Sequence, residues 1–442
     1  MSARPATGQP ATCDVAVVGG GPAGSTAAAW LARAGHAVML FERDQFPRFH
    51  IGESLLASVN EVIAAIGAEA LVRQAGFPQK WGATFMLADG SNERFADFAV
   101  APGVPAPQTW QVPRATFDEL LLRHAAASGA DVRERHRVHG IEFHAEGVSL
   151  TVQGPDGEPP WPVRARALVD ASGRGGLLLS RKFDLRVDEP RLANVAVFSH
   201  YSGVPRREGR RAGDIRIVAR RDLGWFWMIP ISGELMSVGI VLPQAAFKAM
   251  ESRDPTALLD GLIADTPAVA RLLGHATREW PVRVEKDYSF SSRGYAGDRW
   301  VLVGDAGSFL DPMFSTGVAI ALESGLEGAQ AIADGLRTGD LSAPRFRRFA
   351  RRQRGRYRSF RRFVLAFYTQ EFRDLFFAEK PYPPMFRSMV TVFAGYWKPS
   401  LVTRAWIVAF FALVRLQRYV PLAPRVFPRR DHRAAQEAPA TR

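Results

Sequence analysis

Residues 14–18 are an apolar run that leads directly into Gly19-Gly20-Gly21-Pro22-Ala23-Gly24, and a small-residue stretch of helical composition, 25–34, follows. This order predicts strand, tight turn and helix. Further apolar runs at 37–41, 83–87, 167–169, 195–200, 214–218, 237–241 and 299–303 read as strands, and 318–336 reads as an apolar helix. Trp225-Phe226-Trp227-Met228-Ile229-Pro230 has the alternation of a strand that turns Trp225, Trp227 and Ile229 to one face. Pro102, Pro105 and Pro107 mark a loop, and 153–160 a polar turn between paired strands.

Four of these runs end in residues with chemistry. Gly19, Gly21 and Gly24 have the G-x-G-x-x-G spacing: a tight turn, close approach of the backbone to a pyrophosphate, and close packing of helix on strand. Pro22 and Ala23 open the helix, whose N-terminal N–H groups face the anion. The second strand ends at Glu42-Arg43, about 20 residues on, where an acid takes the ribose hydroxyls of a dinucleotide. The 299–303 strand ends in Gly304-Asp305, and 167–169 in Asp170-Ala171-Ser172-Gly173-Arg174. Carboxylates at such strand ends bind ribose or ribityl hydroxyls, although Asp170 serves equally well as a turn cap.

The fingerprint, the D-A-S-G-R and the late G-D resemble the FAD-dependent monooxygenase superfamily. The fold class implied is α/β: a Rossmann-like, para-hydroxybenzoate hydroxylase-type FAD-binding domain over 12–340, interleaved with a substrate-side β-sheet (about 80–115 and 185–290), plus a helical unit at 341–428. Residues 1–11 and 429–442 are expected to be disordered. In that family Asp305 meets the flavin ribityl chain and Arg114 lies against the cofactor.

Two segments resemble flavin-dependent halogenases more narrowly: Phe46-Pro47-Arg48-Phe49-His50-Ile51-Gly52-Glu53-Ser54, and Asp311-Pro312-Met313-Phe314-Ser315-Thr316-Gly317. The resemblance implies Gly52, Glu53, Ser54, Pro312 and Gly317 beside FAD, and chloride or bromide at Ser315, Thr316 and Gly317. Independently of it, the start of an apolar helix at those residues is an anion site. W-x-W-x-I-P, with Trp225, Trp227, Ile229 and Pro230, is implied as the partition between flavin and acceptor. Lys80, in Lys80-Trp81-Gly82-Ala83-Thr84-Phe85, is similar to the catalytic lysine at the far end of an internal tunnel. A buried amine can lower its pKa, as a guanidinium cannot. The implied reaction uses FADH2, O2 and halide, through a flavin C4a-hydroperoxide and hypohalous acid, to halogenate a phenolic or pyrrolic ring, free or tethered to a carrier protein. Tryptophan halogenases have a glutamate where Phe314 stands, which points away from free tryptophan. The same fold also suits a hydroxylase, a membrane-working ene-reductase or a non-turnover binding module.

No second glycine fingerprint occurs, so electrons are expected from a separate flavin reductase or a transiently docking nicotinamide. No His, Cys or carboxylate cluster has metal spacing, and His50 is given no role. With 442 residues and 47% hydrophobic content the chain can bury a large core. The lone Cys13 excludes an internal disulfide. Residues 1–12 carry no apolar core of the secretory kind, so a cytoplasmic location is expected.

Charge separates the chain. Residues 1–340 hold 35 Lys+Arg against 39 Asp+Glu, whereas 341–442 hold 22 against 5. Arginines from Arg345 to Arg362 alternate with Phe346, Phe349, Phe360, Phe363 and Phe367, a pattern that gives an apolar stripe flanked by cations. Such a unit suits a peripheral contact with anionic lipid, an acidic carrier protein, or packing as a lid with its arginines in water; nucleic acid is not expected, because no recognised binding motif accompanies the charge.

Overall fold

In the computed structural model, which describes residues 10–155, 157–176, 178–250, 252 and 254–427, strand Ala11–Val18 lies at the centre of the first of two large sheets. Trp161–Asp170 and Trp300–Leu302 run parallel on one side of it, Val38–Phe41 and Asp131–Arg133 on the other. Val15 and Val17 pack under the helices, while Ala16 and Val18 pack with Trp161 and Trp300 on the opposite face. Burial of both faces explains why these strands read as continuous apolar runs. Ala11, expected in the disordered N-terminal tail, instead pairs with Val163: an extended residue beside a strand edge is captured by its hydrogen bonds. Residues 1–9 and 428–442, which include the expected C-terminal tail, lie outside the described residues.

Helix Pro22–Arg33 begins at the glycine turn, and a Cβ on Gly24 lies 1.8 Å from the Gly19 carbonyl oxygen, so only glycine permits this approach. Helix Thr316–Thr338 lies against it, with a Cβ on Gly325 only 2.3 Å from the Ala23 carbonyl oxygen. It ends at Gly339, φ +72°, a left-handed C-terminal stop.

The second sheet draws its strands from 82–97 and 186–292 and is mostly antiparallel. At its centre, Trp225–Pro230 pairs with Ile215–Ala219 and Met236–Pro243. Trp227 faces Gly239 across the register, and a Cβ on that glycine meets the indole ring at 2.3 Å; the glycine makes room for the ring.

The basic C-terminal stretch folds back over this body. Phe360, Phe363 and Phe367 of helix Arg347–Phe367 join Trp225, Trp227, Phe314, Phe393 and Phe411 in one apolar cluster. Of the readings left open for this unit, the lid with all its arginines in water does not hold, because several of them are buried. Arg356 is 1% exposed, with carboxylate oxygens of Glu323 and Glu327 at 2.8 and 2.9 Å. Arg373, fully buried, donates to the carbonyls of Phe367, Arg220 and Leu223. Arg347, Arg348, Arg351, Arg358 and Arg362 remain exposed. No helix among the described residues is long and apolar enough to cross a membrane.

Candidate functional site

A cavity of about 850 Å³ opens at the C-terminal ends of the parallel strands and reaches the second sheet. One wall is Gly19, Gly21, Pro22 and Ala23 with Glu42 and Arg43. Gly19 has φ +105°, which a side chain rarely adopts. No side chain caps the helix at Gly21, so its first N–H groups are open to an anion. The Glu42 carboxylate is held at the strand end by N–H groups of Gly20 at 2.6 Å and Asp44 at 2.8 Å. Asp305 lines the cavity 3.8 Å from Arg174; burial raises its carboxyl, opposed by Arg174 and Arg114. Open helix amides for a pyrophosphate, a strand-end acid for ribose and a second carboxylate for a polyol match FAD.

Arg114 is buried, paired in two-pronged fashion with Asp118 at 2.7 and 2.8 Å, and donates to the carbonyls of Ile51 and Gly52. It therefore holds the Phe49–Ser54 segment on the cavity. Gly52, Glu53 and Ser54 line it, as do Pro312, Ser315 and Gly317 at the mouth of helix Thr316–Thr338. Ser315 is left-handed (φ +56°) and no side chain caps this helix either. Thr316 does not line the cavity; its hydroxyl is buried without a hydrogen-bond partner among the described residues. Gly24 is also absent from the lining, its place being the helix–strand contact.

Trp225, Trp227 and Ile229 face the cavity, and Pro230, one residue out of phase, does not. The two indoles lie 6.0 Å apart at 52°, and Trp227 donates to Ser237 at 3.1 Å.

Lys80 is not a lining residue either. It sits in a two-residue strand paired with Thr109–Trp110, beside the 53–55 segment, and is 1% exposed. Its Nζ donates to Ser54 Oγ at 2.8 Å and to the Leu55 carbonyl at 2.7 Å, with the Phe98 ring at 5.4 Å. Ser54 thus stands between cavity and amine. Burial pushes the amine down to about 7, against the pull of Asp214.

Two lining residues, Arg174 and His50, had no role in the sequence reading, and neither did His200, which stands behind the lining. Arg174 stacks its guanidinium 4.2 Å from the Phe309 ring, and Glu53 accepts from His200 at 3.1 Å. His50 lines the cavity, its Nδ1–H donating to the Ile51 carbonyl, and burial with Arg114 nearby pushes it down to about 3, so it is neutral. Asp170 caps a turn, accepting from Ser172 and Leu179 N–H. The position of Arg174 in D-A-S-G-R was the available signal; none marked His200.

The tryptophan halogenase family model matches residues 14–104 and 91–396. The flavin-dependent halogenase armH1 of Armillaria mellea is 38% identical over 348 residues, 74% of this chain and 66% of the relative. Among solved structures, a flavoprotein/dehydrogenase of Cytophaga hutchinsonii superposes with TM-score 0.82 at 31% identity, covering 92% of this chain and 99% of that one. The myxobacterial chondrochloren halogenase CndH, described as FAD-dependent, superposes with TM-score 0.74 at 33% identity, covering 92% and 97%. The chain spans 61% to 68% of the length of the first four curated relatives. With the cavity suited to FAD and the match running through its walls, the chain belongs to the tryptophan halogenase family of FAD-dependent enzymes.

Proposed function

We propose that the protein is an FADH2-dependent halogenase that installs chlorine or bromine on an electron-rich phenolic or pyrrolic ring, free or carrier-tethered. The observation that carries this reading is a buried amine with its pKa near 7, one hydrogen bond behind a cavity walled by two indoles. Bound in reduced form, FAD supplies the electrons with which O2 becomes an oxidant of halide. The chain's own residues do the rest. Open amides at Thr316 and Gly317 hold the halide by the helix-terminus field, whereas the Ser315 N–H is already taken by the Pro312 carbonyl at 2.9 Å and serves only to shape the turn. Trp225, Trp227 and Ile229 keep a bulky acceptor from the oxidant while a small molecule passes. Ser54 leads to Lys80, whose amine orients the electrophilic halogen toward the ring by hydrogen bonding or as a haloamine. Phe314, buried and stacked on Phe393 at 4.6 Å, supports an acceptor other than free tryptophan.

The test combines purified protein, a generic flavin reductase, FAD, NADH and bromide with mixed phenols and pyrroles, read by mass spectrometry. Products with the bromine isotope doublet are expected; a hydroxylated or reduced product without halogen refutes the reading and favours the hydroxylase or ene-reductase.

Electrons are proposed to come from a separate flavin reductase. A peripheral contact is proposed at the last helix, where Leu401 (82% exposed), Val402 and Val408 project beside Arg404. Residues 380–427 hold seven Lys+Arg and no Asp or Glu, which opposes self-pairing and suits an anionic lipid surface. The protein is expected to float with phosphatidylglycerol vesicles and not with phosphatidylcholine; equal behaviour with both, or with Val402→Glu/Val408→Glu and wild type, removes the contact.

A further inference from the structure

Trp225 is 1% exposed and lines the cavity, so its indole N–H needs a partner inside the protein. That partner is the Tyr368 hydroxyl at 2.8 Å, contributed by the residue that ends helix Arg347–Phe367. The same hydroxyl donates at 2.8 Å to Asp311 Oδ2, a fully buried carboxylate oxygen that also accepts from Asn194 at 2.6 Å. The other oxygen, Oδ1, accepts from Met313 N–H at 3.0 Å and so shapes the turn that delivers Pro312, Ser315 and Gly317 to the cavity. One hydroxyl therefore ties the indole wall to the loop at the helix mouth.

We infer that Tyr368 is a positioning residue that locks the Trp225 ring and the Asp311–Gly317 loop in register, making the C-terminal layer part of the reaction site. This rests on the halogenase reading of the cavity. The chemistry requires it to be a phenol: the hydroxyl accepts from an indole, which can only donate, and donates to a carboxylate, which accepts. Phenylalanine there fills the same space but leaves the buried indole N–H without its acceptor and takes one of three donors from the Asp311 carboxylate, which keeps Asn194 and the Met313 N–H. The wall and the halide loop then shift independently, while the FAD-binding glycines and Glu42, which lie elsewhere, stay in place.

Tyr368→Phe is compared with wild type, both loaded with FAD. The Trp225 indole N–H resonance, assigned by its absence in Trp225→Phe, is expected to move upfield. Bromide affinity, read by flavin fluorescence, is expected to fall about tenfold, the size of a lost hydrogen bond to a charged group. Hypohalite captured by a diketone trap per O2 consumed falls with it, and FAD affinity stays within about twofold, as no contact to the glycine turn is lost. Unchanged bromide affinity and coupling overturn the inference, as does an equal loss of FAD affinity. If Tyr368→Phe does not fold, Trp225→Phe breaks the same bond from its other end, and wild-type bromide affinity in that variant overturns the proposal. If wild type itself forms no hypohalite, the halogenase reading fails, and the resonance and bromide measurements still decide the role of Tyr368.

Discussion

Lys80→Met removes the buried amine while keeping the length of the side chain, and its effect on stability is calculable. Burial lowers the amine from 10.5 to about 7, a difference of about 5 kcal/mol between its protonation states in the folded chain. Below pH 7 folded and unfolded chains both hold the proton, and the full penalty bears on the fold. Between 7 and 10.5 the folded chain has lost the proton and the unfolded chain keeps it, so stability rises with pH; above both values the penalty is gone. From pH 6.5 to 9 this group alone adds roughly 2–3 kcal/mol to wild-type stability. Methionine has no such dependence, and its constant offset comes from Ser54 Oγ and the Leu55 carbonyl, which lose their donor at about 1–3 kcal/mol each. Urea unfolding of both proteins at several pH values measures the difference, other titrating groups cancelling. A wild-type minus Lys80→Met difference that stays flat from pH 6.5 to 9 refutes the assignment of a neutralisable amine. In turnover, Lys80→Met is expected to oxidise reduced FAD with O2 and release no halogenated ring, and Lys80→Arg to do the same at every pH because guanidinium keeps its charge.

Other changes follow from contacts already described. Gly24→Ala drives a methyl group to 1.8 Å from the Gly19 carbonyl oxygen, a backbone atom that cannot swing aside, so the purified variant is expected to lack flavin absorbance; normal FAD content contradicts the packing argument. Arg356→Leu leaves Glu323 and Glu327 without their buried cation and is expected to cost about 3–5 kcal/mol in calorimetric stability, against under 1 kcal/mol for the exposed Arg358→Leu. Gly239→Ala places its methyl 2.3 Å from the Trp227 ring and 2.4 Å from Phe198 Cβ, which tilts the wall; oxygenated acceptor is expected in the product mixture, and an unchanged product profile argues against a partition.

The glycine turn was legible because its constraint is local: a left-handed Gly19 and a methyl-intolerant Gly24 are dictated within six residues. The indole strand was legible for a similar reason, since alternation puts Trp225, Trp227 and Ile229 on one face; the same alternation turns Pro230 away, so its inclusion in the partition did not hold. What surrounds the arginines of the C-terminal helix was left open, because charge on a helix says nothing of what it meets; Arg356 is buried only because Glu323 and Glu327, some 30 positions away, stand opposite. Tyr368 carries no local signal at all. Its importance arises where the end of one helix, a strand indole and a loop carboxylate converge from 143 and 57 residues away.

Sequence by itself determined the dinucleotide turn, the strands that flank it and the residue types facing the cavity, since these depend on backbone sterics and the periods of strand and helix. Only the tertiary structure decided which charges are buried, that Ser54 stands between the cavity and Lys80, and that the basic C-terminal layer closes on the aromatic wall. Solvation and hydrogen bonding depend on surfaces brought together across the whole chain, and no window of neighbouring residues contains them.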